Sequence, residues 1–148
     1  MSDIGGTMEI DLSGLIALQR GLPAAIKAAV ERSARPVQSR VKAEAAAISR
    51  YGFLAASIMT KVKAYRPDNV VTIVGPNVGF TRTEGTYSRG KRKGQARKHT
   101  PAMYAWLVDQ GTSRSRKFGF LERAMSATAG NYPTDFAQAM ADELQKLN

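Results

Sequence analysis

No cysteine occurs among the 148 residues. That excludes disulfides, thiolate nucleophiles and cysteine-ligated metals. Histidine is nearly absent too: His99 stands alone, with no carboxylate close in sequence to orient it as a catalytic base. The 12 acidic residues are scattered. Glu84, Asp109, Glu122 and Glu143 fall into no pair suited to general acid and base work, and no group of them has zinc or calcium spacing. No run of eighteen apolar residues exists, so no membrane-spanning helix is expected. Met1–Gly6 lacks the basic-then-apolar pattern of a secretion signal, and synthesis in a reducing cytoplasm is expected. Together these gaps point away from an enzyme and call for no cofactor or metal.

What the chain does have is positive charge. Its 22 lysines and arginines give a net charge of +10, and the excess is local. Residues 81–100, TRTEGTYSRGKRKGQARKHT, hold Arg82, Arg89, Lys91, Arg92, Lys93, Arg97 and Lys98 against Glu84. Arg114, Arg116 and Lys117 add three more. A basic cluster of this kind suits a polyanion or an acidic protein surface, while a solvated loop has the same composition. Gly90-Lys91-Arg92-Lys93-Gly94 has neither the spacing nor the strand-to-helix setting of a phosphate loop. Tyr87 and Tyr104 make no stacking array for a single-stranded nucleic acid.

The length suits one domain, 1–148, with a flexible start at 1–7. Met8–Leu12 alternates as an edge strand does. A short helix through Leu15, Ile16 and Leu18 is expected to break at Gly21-Leu22-Pro23. From Ile26, apolar residues recur at Val30, Ala34, Val37, Val41, Ala45 and Ile48, one stripe at the helical period. The stripe keeps its phase across Pro36, which predicts one kinked helix over about 23–50, roughly 40 Å long. Residues 58–65 and 70–74 read as two strands of a hairpin around Arg66-Pro67-Asp68-Asn69. Residues 81–100 have too little apolar surface to offset an ordering cost of roughly 1–2 kcal/mol per residue, and they read as a long, mobile basic loop. Pro101 opens a helix containing Tyr104 and Trp106, expected to face the core, and Gly111 ends it. Phe120-Leu121 begins another helix, and Asn131-Tyr132-Pro133 begins a last one with Phe136, Met140, Leu144 and Leu147 on its stripe. The fold class expected is α+β: a long kinked N-terminal helix packed on a small antiparallel sheet, short C-terminal helices and a long basic loop.

One stretch carries more than composition. Tyr104-x-x-x-Val108-Asp109-x-Gly111-Thr112-Ser113, a short basic spacer, then Phe120-Leu121-x-x-Ala124 resembles the neck or tail-completion proteins of long-tailed bacteriophages. Their usual pattern is a Tyr-Ala-x-x-Val-Glu-x-Gly-Thr core followed by Pro-Phe-Leu-x-x-Ala. The order of the rest agrees over residues 8–128. A strand and an alanine-rich basic helix come first. Tyr51–Ile58 then matches a Thr-Gly-x-Leu-x-x-Ser-Ile element at Gly52, Leu54, Ser57 and Ile58. Tyr51 replaces the threonine, Ile48 stands where a proline is common, and Gly119 replaces the proline before Phe-Leu.

The resemblance implies a structural virion protein, forming a sixfold homo-oligomeric ring at the head–tail junction. Its implied neighbours are a head-completion or stopper protein and a tail-terminator or tail-tube protein, with genomic DNA in the channel. Arg89, Lys91, Arg92, Lys93, Arg97, Lys98, Arg114, Arg116 and Lys117 are the candidate subunit or partner contacts. An acidic protein surface is preferred to DNA as their partner, because DNA must slide during ejection. Tyr104, Val108, Gly111, Thr112, Phe120 and Leu121 are the candidate turn and packing residues, with Thr112 and Ser113 capping the turn through their hydroxyls. The competing readings are a small basic nucleic-acid-binding protein using residues 81–100 and, less well matched to these residues, a small nuclease or toxin-like enzyme.

Overall fold

The computed structural model describes residues 13–48, 52–66 and 69–147. The expected edge strand at Met8–Leu12 and the turn residues Pro67 and Asp68 lie outside them. The element order is α1 (Ser13–Ile48), α2 (Phe53–Ser57), β1 (Ile58–Arg66), β2 (Asn69–Pro76), β3 (Arg82–Thr86), β4 (Ala96–His99), α3 (Pro101–Gln110), α4 (Phe120–Thr128) and α5 (Tyr132–Gln145). The fold is α+β, with a long N-terminal helix, two small antiparallel sheets and short C-terminal helices.

The expected break at Gly21-Leu22-Pro23 is not there: α1 runs through Pro23 as well as Pro36. At 36 residues it is about 54 Å long. Both prolines are exposed. The carbonyls they deprive of a donor, on Gln19 and Arg32, belong to exposed residues, where water can replace the missing N–H. In its first half the apolar stripe is wider than expected. Val30 and Ala34 are buried as the spacing predicts and Ile26 half so, but Ala25, Ala29 and Ser33 are buried too. These small residues let α5, whose Ala139 is buried, lie close against the helix. Further along, Val37, Val41 and Ala45 join Leu54, Ile58, Ala105, Phe120 and Ala124 in the main core.

The predicted hairpin is present. β1 and β2 pair antiparallel, Ile58 opposite Pro76 and Val62 opposite Thr72. One face, with Ile58, Thr60, Val62, Val70, Thr72 and Val74, is the better covered; the other leaves Met59, Tyr65, Val71 and Ile73 exposed. Gln38 ties α1 to the sheet by donating to the Ile58 carbonyl at 3.3 Å. The hydroxyls of Thr60 and Thr72 are buried without a hydrogen-bond partner.

Residues 81–100 overturn an expectation. They form a second, separate hairpin, with Arg82 opposite His99 and Thr86 opposite Ala96, not a structureless loop. Backbone pairing replaces the missing core. Tyr87 donates to the Gln95 carbonyl at 3.0 Å and accepts from Gly94 at 2.9 Å. Gly90 and Gly94 supply positive φ angles in the connection between the strands, and Gly85 supplies one inside β3 where the register shifts between Thr83 and Thr86. Almost every residue of it is exposed, and the His99 ring meets Phe53 of α2 at 5.3 Å between centroids. Among the described residues, no helix is long and apolar enough to cross a membrane.

Candidate assembly surfaces

The 101–124 stretch folds as a clamp joining two helices. Pro101 occupies the first turn of α3, where its missing N–H costs nothing. The helix ends at Gly111, whose N–H reaches the Leu107 carbonyl at 2.9 Å. Gly111 has φ 79° and ψ 177°, a region open in practice to glycine alone. The space is closed as well: a Cβ there would stand 2.7 Å from the Lys117 nitrogen and 3.0 Å from the Arg116 carbonyl carbon. The chain then reverses through Thr112–Ser115, whose backbones exchange hydrogen bonds at 2.9 and 3.2 Å. Thr112 Oγ1 accepts from the N–H groups of Arg114 and Ser115. The capping role expected of Thr112 is thus filled, and its hydroxyl partner is Ser115, not Ser113.

Asp109 holds the two ends together. Its side chain is buried. Oδ1 accepts the Leu121 N–H at 3.0 Å, at the start of α4, and its backbone carbonyl accepts the Gly119 N–H at 2.9 Å. Gln110 donates to Oδ2 at 2.8 Å. A carboxylate at a helix N-terminus satisfies an orphan donor and complements the helix dipole. Gly119 stands just before α4 with φ 59°, an angle closed to proline. The departure from the resembled Pro-Phe-Leu pattern therefore comes with a different backbone at that point. Arg123 completes the clamp: Nη1 donates to the Phe118 carbonyl, and Nε donates to Glu44 of α1 at 2.9 Å. Glu44 also meets Arg40 at 2.8 Å. Hydrogen bonding from Arg123, with a smaller contribution from Arg40, lowers the Glu44 pKa below the usual carboxylate value.

Of the predicted packing residues, Phe120 is fully buried, while Leu121 and Val108 pack against the core partly covered. Tyr104 is half-buried, and burial raises the pKa of its hydroxyl. Trp106 contradicts the core expectation. It is 67% exposed, alongside Met103 at 77% and Leu107 at 43%. The opposite side of α3, with Ala105 and Asp109, is the buried one. A ten-residue helix that is apolar nearly all round has a second face left to cover; that composition is the signal the sequence offered.

The basic residues divide into two groups. Arg89, Lys91, Arg92, Lys93, Arg97 and Lys98 lie on the second hairpin and are exposed. Arg92 and Arg97 bring their guanidinium groups to 5.9 and 5.5 Å from the centre of the Tyr87 ring, a cation–π arrangement. Arg114, Arg116 and Lys117 lie in the loop between α3 and α4. Arg116 stacks 4.8 Å from the Phe118 ring, and Lys117 pairs with Glu122 at 2.8 Å. That pair raises the Lys117 pKa and lowers that of Glu122 through one shared hydrogen bond.

One surface went unread in the sequence. An open apolar groove of about 610 Å³ runs between α1, β2, α4 and the start of α5, lined by Val37, Val41, Ile73, Leu121, Met125 and Tyr132 among others. Ile73 and Met125 on its walls are 49% and 57% exposed. Among the described residues, no three histidine, aspartate or glutamate side chains gather as a metal site. Comparison of the chain with protein-family models, with curated proteins and with solved structures finds no match.

Proposed function

We propose that this chain is a structural protein of a long-tailed bacteriophage virion, without enzymatic activity. It would form a ring at the head–tail junction and join the tail to the DNA-filled head. Its neighbours would be a head-completion or stopper protein on one side and a tail-terminator or tail-tube protein on the other. Sixfold symmetry comes from the resemblance alone.

The observation that carries the reading is the clamp. The motif residues that prompted the resemblance act together: Gly111 and Thr112 make the reversal, Asp109 ties it to α4, and Phe120 anchors α4 in the core. Outside that clamp the chain keeps apolar surface uncovered on two sides, as a subunit built for neighbours would. The exposed cations of the second hairpin would then face an acidic surface on an adjoining subunit, with channel DNA as the next choice.

Native mass measurement and negative-stain imaging of the protein, alone and in purified particles, test this. A ring is expected in at least the particles. Rings in neither preparation would end the reading.

The exposed hairpin cations around Tyr87 favour one other reading, a small nucleic-acid-binding protein. Under it, RNA or DNA would bind in the nanomolar range at physiological salt and weaken steeply as salt rises. The ring reading with an acidic protein surface opposite the hairpin expects no such affinity.

A further inference from the structure

We propose that the outward face of α3 in one copy of this chain seats in the apolar groove of the next copy. The proposal rests on the ring reading for its setting in the virion, whereas the contact itself is argued from the shape and charge of this chain.

Met103, Trp106 and Leu107 follow one another at the spacing of neighbours along a helix face, and all three are exposed. They form a convex apolar ridge with an aromatic at its centre. The groove is the concave counterpart. Its volume of about 610 Å³ lies in the range that takes a drug-sized molecule, room enough for an indole with an aliphatic side chain on each flank. No residue of α3 lines the groove, so ridge and groove are separate parts of one chain. A central Trp entering an apolar pocket is the common form of an interface anchor.

Charge fixes the direction. Beyond the C-terminal end of α3 stands Arg114, exposed, and in the first turn of α5, just past the groove residues Tyr132 and Pro133, stands Asp135. Among the described residues neither charge has an ionic partner within its own copy. Laying α3 in the groove with its C-terminal end toward α5 brings the two together. The contact joins two different patches, so it is heterologous: repeated, it closes into a ring or runs on as a filament.

The absence of cysteine makes the test direct. Full-length Leu107→Cys and Ile73→Cys proteins, which keep Trp106, are mixed under mild oxidation. A disulfide-linked dimer is expected in the mixture and in neither protein alone. In sedimentation, Trp106→Ala should weaken self-association by about 30-fold or more, the scale of losing a central aromatic anchor. Asp135→Arg should weaken it too, and pairing it with Arg114→Asp should restore it. Circular dichroism confirms that each variant is folded, and Met103→Cys with Met125→Cys gives the same readout should the first pair fail to fold. No mixed disulfide from either pair overturns the contact, and so does a dimer formed by the Leu107→Cys protein alone. Rings without the mixed disulfide would overturn the contact and leave the ring reading standing. The mixed disulfide without rings, alone or in particles, would do the reverse.

Discussion

Replacing Gly111 by alanine tests the clamp at its tightest point. Two effects add. The backbone at φ 79° and ψ 177° lies where a residue with a Cβ is strained by about 1–3 kcal/mol. The new Cβ would also stand 2.7 Å from the Lys117 nitrogen and 3.0 Å from two further atoms of the Arg116–Lys117 backbone. No flexible side chain can swing away, because every one of these atoms is main chain. The loop must shift, and with it the Phe118–Val108 and Gly119–Asp109 hydrogen bonds that align α4. The expected loss is about 2–3 kcal/mol, near the top of the strain range. For a chain of this size that lowers Tm by roughly 5–10 °C. Gly119→Ala is the internal comparison. Its φ of 59° is also left-handed, but the added Cβ would meet only side-chain atoms at 3.5 and 3.7 Å. Its cost is the strain alone, about 1 kcal/mol. Urea and thermal melts of the two variants beside the parent decide it. Equal losses, or a Gly111→Ala variant within about 1 °C of the parent, would refute the steric account.

Asp109→Ala should cost about 1–3 kcal/mol, since it strands the partly buried Leu121 N–H and leaves Gln110 without its acceptor; urea unfolding measures it, and Asp109→Asn should recover part of the loss. Acid should destabilise the fold through Glu44, Glu122 and Asp142, whose pKa values are lowered by hydrogen bonds from Arg123, Lys117 and Gln138 respectively. A lowered folded-state pKa gives stability that is complete above the unfolded value, about 4 for these acids, and is lost as pH falls through the folded value. Tm should therefore be level above about pH 5 and decline below about pH 4, less steeply in Arg123→Ala, whose Glu44 has lost its main partner. Replacing Arg89, Lys91, Arg92 and Lys93 together by serine should leave Tm within about 1–2 °C, as expected for exposed positions, yet reduce the joining of heads to tails in an assembly assay; normal joining would remove the hairpin from the assembly contact.

Local patterns were legible where one physical cause dominated. The alternation of β1 and β2, the proline that opens α3 and the glycine that closes it each translated directly into structure. Pro23 does not break the helix because it is exposed, and a proline whose orphaned carbonyl faces water costs less than one in the core. Residues 81–100 are ordered by pairing, which composition does not report. A hairpin needs matched backbone partners and well-placed glycines, and their apolar content says little about either. Trp106 departs from the core expectation because α3 has only one side, that of Ala105, in the core with Phe120 and Leu54. The groove had no signature at all. Its walls come from residues 34–41, 72–74 and 121–133, and only the packing of α4 and α5 on α1 brings them together.

That packing makes α1 a mast to which most other parts of the body are rigged separately. α5 lies along α1 in one of the most extensive contacts of the fold, with the Arg32–Asp142 ion pair at 2.6 Å across it, and Ala139 is its fully buried residue. Tyr132 and Pro133 form one wall of the groove, and Tyr132 also packs against the Phe120 core, so the contacts that seat α5 also set the width of the groove. A side chain entering the cleft meets walls already in place, and little of its binding energy is spent on shaping them.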